Sequence, residues 1–322
     1  MELHSGNTMP NLDEQLRQAR EISWKRFGRR LTVYLPGMFS YSGLSGDYPA
    51  VSITGSDCAL QCDHCRGIIL EPMVSAMEPD ILVQKGLGIA KKGNQGILIS
   101  GGCDQGGRLP WKRFIPAIKE IKEKTELYIS IHCGLVDEPV ASDLKGAGVD
   151  QALIDVIGDD ETYQRIYHVN FGISRIEDSM GSLQKAGIPI VPHIVCGLHF
   201  GEIRGERKAI EMISRFHVEQ VVIVSLMTIP GTPLWGVHTP EPEEIAQIIA
   251  ETRFAMPGVR MSLGCARKRG DVRTEIMAID GGINRMALPS EEALRHAEKY
   301  GLEIRYQRTC CSVSKDVTHT EW

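Results

Sequence analysis

The sequence predicts an α/β protein whose core is a (β/α)8 barrel of the TIM type. Strand-like and helix-like segments alternate along the 322 residues with short connections, which is the pattern of a parallel sheet built from βα units. Eight strand-like segments lie between residues 51 and 301. Several helix-like segments end in a glycine, such as Gly148 or Gly187, as a left-handed helix cap requires. A partial (β/α)6 barrel is the main alternative.

The predicted barrel strands are short apolar or alternating segments bounded by turn residues. In chain order they span residues 51–55, 96–100, 127–132, 151–156, 188–196, 220–226, 259–264 and 282–286. The helices expected between them span residues 81–92, 111–125, 174–186, 206–217, 241–255 and 290–300. The clearest helix is 111–125, where Phe114, Ile118 and Ile121 recur at helical spacing and define one apolar face.

Segments on either side of the barrel complete the predicted organisation. Residues 11–27 carry apolar residues at helical spacing, and residues 31–35 form a short apolar segment typical of a strand. We therefore expect an N-terminal extension over residues 1–45, the barrel over 46–301 and a C-terminal tail over 302–322. The tail begins with a strand-like segment and contains the adjacent cysteines Cys310 and Cys311.

The composition argues against two classes of partner. With 36 basic and 41 acidic residues the formal net charge is -5, which gives no electrostatic footprint for nucleic acid or an anionic membrane. The first ten residues are polar, and the longest apolar stretches, such as 188–195, are too short to span a bilayer. We therefore expect a cytoplasmic protein, in which nine cysteines favour metal binding or catalysis over disulfides.

Cys58, Cys62 and Cys65 lie in the run CALQCDHC just after the first predicted barrel strand. Thiols at these spacings on one loop can converge on a single metal site. Three thiolates on a four-iron cluster leave one iron free to take an exchangeable ligand. The alternative is a zinc knuckle on Cys62 and Cys65, but tetrahedral zinc sites usually pair two such dyads, and the chain has no second CxxC.

The motif resembles that of the radical S-adenosylmethionine (SAM) superfamily. The resemblance implies a [4Fe-4S] cluster on Cys58, Cys62 and Cys65 whose open iron binds the amino and carboxylate groups of SAM. Reduction of such a cluster cleaves SAM to a 5'-deoxyadenosyl radical that abstracts unactivated hydrogens. The protein then positions the substrate and excludes water, because the cofactor carries the chemistry. His64, beside Cys65, would cover the cluster or the adenine edge.

Four further cysteines follow predicted strands. Cys103, Cys133, Cys196 and Cys265 come at the ends of the second, third, fifth and seventh strands, and in a barrel those ends open on one face, where active sites lie. A single buried cysteine is more often an inert small hydrophobe. Four at equivalent positions instead predict an auxiliary iron-sulfur cluster.

This arrangement resembles biotin synthase, in which cysteines on the second, third and fifth strands and an arginine on the seventh hold the auxiliary cluster that is consumed as the sulfur source. Cys265 would replace that arginine. The resemblance covers roughly residues 50–300, with weaker matches at 197–202, a glycine-rich stretch after the fifth strand, and at 230–234.

Contacts to SAM follow from the same resemblance. Ser100, Gly101 and Gly102 match the glycine pair after the second strand, where a backbone edge binds the amino group of SAM because small residues allow close approach. Asp155 lies where a polar group meets the ribose hydroxyls, and a carboxylate can accept both of their hydrogens; the alternative for Asp155 is a helix N-cap. The stretch after the fifth strand adds its own predicted cofactor-binding residues, Gly197, Gly201 and Glu202.

Two basic or thiol-rich segments are open to more than one interpretation. Arg267, Lys268 and Arg269 could neutralise a substrate carboxylate, but a solvated loop is the favoured interpretation. Cys310 or Cys311 could reach the barrel mouth as a replacement ligand or a gate, the alternative being a disordered tail.

The segments 34–37 (YLPG) and 48–55 (YPAVSITG), followed by the cysteine motif, look like the biotin-synthase-related proteins that form half of a split lipoyl synthase. The resemblance implies thiolation of an octanoyl chain on a lipoyl-carrier protein or peptide, with a companion radical SAM protein and with ferredoxin or flavodoxin as the electron donor. The N-terminal three-cysteine motif and the RSSY run of the ordinary lipoyl synthase are absent from the sequence.

Two alternatives stay open at this stage. A radical SAM mutase or C–C bond-forming enzyme, similar to methylornithine synthase, would share the barrel without transferring sulfur. An electron-transfer or scaffold subunit would keep the cluster without cleaving SAM.

Overall fold

A computed structural model describes residues 11–41 and 43–317. The parts of the predicted extension and tail at residues 1–10 and 318–322 lie outside it. The strands are Arg30–Tyr34 (β1), Ser40–Tyr41 (β2), Leu44–Ser45 (β3), Ala50–Ser52 (β4), Val74–Ser75 (β5), Gly96–Ser100 (β6), Tyr128–His132 (β7), Gln151–Asp155 (β8), Ile190–Cys196 (β9), Gln220–Ser225 (β10), Arg260–Leu263 (β11), Arg285–Ala287 (β12) and Glu303–Gln307 (β13).

The helices cover the outside of the sheet. They are Leu12–Phe27 (α1), Pro79–Lys91 (α2), Trp111–Lys124 (α3), Glu138–Gly146 (α4), Asp160–Tyr167 (α5), Ser174–Ala186 (α6), Glu206–Ser214 (α7), Pro242–Ala255 (α8), Val272–Asp280 (α9) and Glu291–Lys299 (α10). Helices α4, α5 and α9, of eight or nine residues each, are missing from the predicted helices.

One curled parallel sheet contains eleven of the strands. Its order is β13-β1-β12-β11-β10-β9-β8-β7-β6-β4-β5, and β2 pairs with β3 in a separate antiparallel hairpin. The eight predicted barrel strands appear as β4 and β6 to β12, each beside its neighbour in the chain. The predicted α/β fold with a TIM-type parallel sheet is therefore confirmed.

The two sides of the curl meet through the added strands. Strands β1 and β13 pair beyond β12 instead of β4, so the strand ladder does not close directly between the first and eighth barrel strands. A single backbone hydrogen bond from Asp47 N to Arg308 O, 2.6 Å long, joins the segment after β13 to the segment before β4. The predicted extension and tail thus each supply a strand to the same sheet as the barrel.

The sequence of helix α3 shows why the outer layer forms. Its residues Trp111, Phe114, Ile118 and Ile121 are fully buried against the sheet, while the lysines between them face water. The apolar residues recur at the helical period, so one face can be buried along the whole helix. A left-handed cap at Gly187, with φ 70°, ends α6 as predicted.

The concave side of the sheet holds the C-terminal tail. Side chains from distant strands hydrogen-bond its backbone: Gln151 Nε2 donates to Ser312 O at 2.8 Å, Gln220 Nε2 to Cys311 O at 3.1 Å, and Ser262 Oγ to Cys311 O at 3.2 Å. Because these strands lie around the curl, the tail must run inside it. Buried backbone groups need such partners, so the tail is part of the barrel interior.

No helix among the described residues combines the length and the apolar character needed to cross a membrane.

One buried guanidinium group holds the tail in its position inside the sheet. Arg285, which is 1% exposed, donates to Tyr34 Oη, to Val313 O at 2.8 Å and to Ser314 O at 2.9 Å. Arg285→Ala should lower the free energy of unfolding by about 3 kcal/mol or more, because each buried acceptor left without a donor costs about 1–3 kcal/mol. Chemical denaturation measures the change.

A matched control is Arg295→Ala on α10, whose exposed side chain pairs with Glu291 and Glu292 of the same helix. Its effect should stay within about 0.5 kcal/mol. Equal effects of the two substitutions would contradict the anchoring role of Arg285. Hydrogen exchange in residues 308–317 should rise in the Arg285 variant and stay unchanged in the control.

Candidate functional site

The loop after β4 brings Cys58, Cys62 and Cys65 together. Cys62 and Cys65 are buried, and their thiols hydrogen-bond each other. Gln61 and Arg66 both have φ of 47°, in the left-handed region that reverses the backbone within the loop. Cys58 and Cys65 are both close enough to Cys62 to influence its pKa, so the loop keeps the three thiols in one neighbourhood.

Two backbone contacts hold the loop at the carboxyl ends of the strands. Ala59 N donates to Cys103 O at 2.8 Å, just beyond β6, and Asp63 N donates to Ile166 O at 2.9 Å on α5. The loop therefore lies at the face of the sheet where active sites of such folds are built.

The thiols of the loop are electrostatically unequal. The hydrogen bond with Cys62 lowers the pKa of Cys65 to about 4, against the opposing effect of burial, and His64 lowers it further. The same hydrogen bond raises the pKa of Cys62 well above its usual value, and burial adds to it. One thiolate stabilised beside two further thiols is a donor set suited to iron, and three thiols on this loop fit a four-iron cluster with one open iron.

Gly102 is required by the close approach of β6 to this loop. A Cβ atom at Gly102 would lie 2.0 Å from Asp57 O and 2.5 Å from Cys58 Cβ, distances that no side chain permits. Gly102 N also donates to Thr54 Oγ1 at 2.7 Å. The predicted Ser100–Gly102 segment thus lies directly against the cysteine loop. Contact of these residues with SAM stays a prediction.

Two cavities open beside the loop and share Asp155 and His132. The smaller, of about 100 Å³, is also lined by Gly101 and Cys103. The larger, of about 210 Å³, extends across the concave face of the sheet from His64. The arrangement places the predicted SAM-contact residues Gly101 and Asp155 on one wall, next to the cysteine loop.

Asp155 is held as a carboxylate between two histidines. Burial alone would raise its pKa, but His132, with Nε2 at 3.4 Å from Oδ1, holds the pKa well below its usual range. Burial lowers the pKa of His193 to about 4, so this ring is neutral near pH 7. An ionised carboxylate at this place can accept hydrogen bonds from two hydroxyl groups.

The alternative interpretation of Asp155 as a helix N-cap is excluded. The N-cap of α5 is Asp159, whose side chain accepts from Thr162 N at 2.8 Å. Asp155 ends β8 four residues earlier and lines both cavities.

Of the four cysteines after the strands, Cys103 lies close enough to Cys58 and Cys133 to be influenced by them electrostatically, whereas Cys196 and Cys265 have other neighbours. Ligation of an auxiliary cluster by these four residues stays a prediction. The Cys133 thiol donates to Gly134 O at 3.2 Å, and Cys133 is fully buried in the apolar core. Cys196 is fully buried, and the charged groups that influence it are Glu206 and Glu244, at or near the starts of α7 and α8.

The alternation of side chains along a strand explains the position of Cys196. Successive side chains of a strand point to opposite faces. Val195 lines the large cavity, so Cys196, the next residue of β9, faces the helices. Cys133 lies just beyond β7, and its electrostatic neighbours include Asp155. Cys103 instead lines the small cavity.

Cys265 meets two cysteines of the tail instead. Its thiol hydrogen-bonds Cys311, whose thiol also bonds Cys310, and all three line the large cavity. The sequence carried a signal for this group in the pair Cys310 and Cys311 directly after a strand-like segment, but the path of the tail could not be inferred from it.

The glycine-rich stretch after β9 has packing roles. A Cβ at Gly197 would lie 2.2 Å from Pro240 Cγ, and one at Gly201 would lie 1.9 Å from His238 O. Glu202 is exposed and lines neither of the two cavities described above. Cofactor binding by Gly197, Gly201 and Glu202 stays a prediction.

The three basic residues after β11 differ in burial. Arg267 is buried and pairs with Glu275 at 2.6 Å, while it also donates to Gly264 O at 2.6 Å. It therefore supports the fold, in contrast to both sequence interpretations. Lys268 and Arg269 are exposed.

Gly102→Ala should displace Cys58 and remove most of the iron bound by the three-cysteine loop, because the new Cβ would overlap Asp57 and Cys58. Iron content and the visible absorbance of the cluster after anaerobic reconstitution measure this loss. The control is Gly88→Ala on α2, where a Cβ meets no atom within 4 Å, and it should bind iron as the unchanged chain does. Full iron binding by the Gly102 variant would contradict the steric argument.

Comparison with known proteins agrees with this site. Residues 52–212, half of the chain, match the model of the Radical SAM superfamily, and residues 222–319 match that of the Biotin and Thiamin Synthesis associated domain. The biotin synthase of Burkholderia ambifaria is 28% identical over 189 residues, which cover 56% of this chain and 54% of that protein. That of Albidiferax ferrireducens is 28% identical over 154 residues, covering 47% and 43%.

The chain matches these curated relatives over about half of their length or less. Among solved structures, methylornithine synthase superposes with a TM-score of 0.62 at 16% identity, covering 91% of this chain and 89% of that one. The [FeFe]-hydrogenase maturase HydG superposes with a TM-score of 0.66 at 15% identity, covering 93% and 70%. These likenesses show a shared fold. With its cysteine loop, its curled parallel sheet and these matches, the chain belongs to the radical SAM superfamily and is biotin-synthase-like.

Proposed function

We propose that this radical SAM enzyme inserts sulfur into an unactivated alkyl chain, as one component of a two-protein lipoyl synthase that acts on a protein-bound octanoyl group. The observation that carries the proposal is the cavity of about 210 Å³ on the concave face of the sheet. Its wall includes His64, beside the SAM-cluster cysteines, and the thiols of Cys265, Cys310 and Cys311.

The lining of this cavity suits an alkyl substrate. Its apolar part is formed by side chains from strands β6 to β10 and the segments that follow them: Leu98, Leu153, Val195, Leu198, Val224, Leu226, Met227 and Ile229. An apolar chain can be held there away from water with its carbons in fixed positions, and such positioning supplies much of the rate advantage in a radical reaction.

The polar residues of the cavity lie on the side of the predicted SAM contacts. Asp155 and His132 occupy the wall that both cavities share, where a carboxylate would orient ribose hydroxyls. When bound, the SAM cluster supplies a 5'-deoxyadenosyl radical for hydrogen abstraction. The residues of this chain then have three tasks, which are to orient SAM, to hold the alkyl chain and to keep water out.

The thiols of the cavity favour sulfur chemistry over a mutase or C–C bond-forming reaction. Those reactions rearrange or join carbon and need no sulfur donor beside the substrate. Cys265, Cys310 and Cys311 line the same cavity as the apolar side chains, so a donor bound there would be adjacent to the alkyl chain.

An outer cleft supports delivery of the substrate by a carrier protein. This cleft, of about 730 Å³, shares Leu226, Met227 and Ile229 with the inner cavity. Its rim carries the exposed basic residues Lys268, Arg269 and Arg273 and the acidic residues Glu241 and Asp271. A carrier domain with an acidic surface could dock at the cleft while its octanoyl arm enters the cavity.

The test of the function is an anaerobic single-turnover assay with an octanoylated carrier peptide, SAM and a reduced ferredoxin or flavodoxin, with and without the companion radical SAM protein. Mass spectrometry should show one sulfur added per chain and 5'-deoxyadenosine formed. Cys58→Ala should reduce both to background, while Cys196→Ala, whose thiol faces the helices, should retain them. Formation of 5'-deoxyadenosine with a rearranged or carbon-joined product, and no C–S bond, would reject sulfur insertion.

Asp155→Ala should weaken SAM binding about 10- to 100-fold, since hydrogen bonds to a charged group contribute about 1.5–3 kcal/mol. Equilibrium dialysis of reconstituted protein with SAM measures the dissociation constant. Glu126→Gln, which changes an exposed carboxylate two residues before β7, serves as the control and should leave SAM binding unchanged. Equal affinities for the two variants would remove the ribose role of Asp155.

A further inference from the structure

Three thiols from two distant parts of the chain converge in the barrel. The Cys311 thiol forms hydrogen bonds with both Cys265, just after β11, and Cys310. Adjacent residues in an extended segment would point to opposite sides. Here a turn closed by Val313 N donating to Cys310 O at 2.9 Å lets the two tail cysteines contribute to one group.

The path of the tail is built into the strands that surround it. His193 Nε2 bonds Ser312 Oγ at 2.9 Å, and Gln220 Nε2 donates to Cys311 O at 3.1 Å. Each of these strand side chains is buried or half-buried, so it would lose its partner if the tail left. The positions of Cys310 and Cys311 are therefore determined by the barrel, and not by chance packing of a loose terminus.

The three thiols have free space on one side. All of them line the cavity of about 210 Å³, while Tyr34 and Ala287 pack against them from the other side. An inert buried cysteine is surrounded by apolar atoms, as Cys196 is among the core residues. The three cysteines therefore border a space in which a polynuclear metal centre could be bound.

The positive charges of nearby arginines would also stabilise a negatively charged group bound by the three thiols. The hydrogen bond with Cys311 and burial raise the pKa of Cys265 well above its usual value, and the guanidinium groups of Arg269 and Arg267 oppose this rise. The hydrogen bond from Cys311 lowers the pKa of Cys310 below its usual value. Positive charge close to the thiols would compensate the charge of thiolates bound to iron.

We propose that Cys265, Cys310 and Cys311 bind a second iron-sulfur cluster at the wall of the substrate cavity, with the C-terminal tail supplying two of its three cysteine ligands. Among the described residues no fourth cysteine contacts this group, so one iron would take a ligand other than cysteine. The site differs from the predicted set of strand-end cysteines in all members except Cys265. Its role as the sulfur donor rests on the proposed function, whereas cluster binding does not.

The test isolates the second site by removing the first. The variant Cys58→Ala/Cys62→Ala/Cys65→Ala is reconstituted anaerobically with iron and sulfide, and should retain about four irons per chain together with a cluster EPR signal after reduction by dithionite. Adding Cys265→Ser, Cys310→Ser and Cys311→Ser should remove both the iron and the signal. The matched control adds Cys133→Ser and Cys196→Ser instead and should keep both.

Two further measurements distinguish loss of the cluster from loss of the fold. Circular dichroism should be the same for the variant and its control. In the chain that lacks the first site, hydrogen exchange in residues 308–317 should become slower on reconstitution, because a bound cluster would tie the tail to β11. Cys310→Ser and Cys311→Ser made singly should each reduce the iron content while the dichroism stays unchanged.

Three outcomes would overturn the inference. They are iron that persists after all three serines are introduced, iron that is lost equally in the control, and an iron-free first variant whose thiol titration shows a disulfide among the three cysteines. A cluster at this site without C–S bond formation would support the inference and reject the proposed function. Sulfur insertion that survives the three serines would support the proposed function and reject the role of this cluster as the sulfur donor.

Discussion

The buried guanidinium of Arg285 is the interaction on which the interior of this protein depends. It lies on β12 and bonds Tyr34 of β1, Gln220 of β10 and the carbonyl groups of Val313 and Ser314 in the tail. A charge taken out of water requires such a complete set of partners. Because two of these partners are carbonyl groups of the tail, Arg285 holds the tail against the strands. This contact brings the tail cysteines to the floor of the cavity.

The cavity joins two sulfur-rich regions that lie far apart in the sequence. One is the loop of Cys58, Cys62 and Cys65, and the other is formed by Cys265 and the tail. Between them the walls are mainly apolar, with Asp155 as an ionised group next to the first region. This division suits a radical reaction, since a charged cofactor is oriented by polar groups while an uncharged chain is held away from water.

Much of the fold could be predicted because it follows from local patterns. Segments 96–100 and 174–186 form a strand and a helix with the predicted bounds, as apolar spacing records which residues are buried. The face that Cys196 occupies could not be predicted from its place at a strand end. A shift of one position along a strand reverses the face that a side chain occupies, and the adjacent inward residues were not identifiable beforehand.

The sequence by itself determined the order of the βα units and the placement of three cysteines within eight residues on one loop. These features depend on contacts between neighbours in the chain or on a backbone pattern that residue types report directly. The tertiary structure alone decided that β1 and β13 extend the sheet, that the tail enters its concave side, and that Cys265 meets Cys310 and Cys311. Those contacts join residues about 45 positions apart or more, and such pairings are decided by the packing and hydrogen bonding of the whole barrel and not by any local pattern.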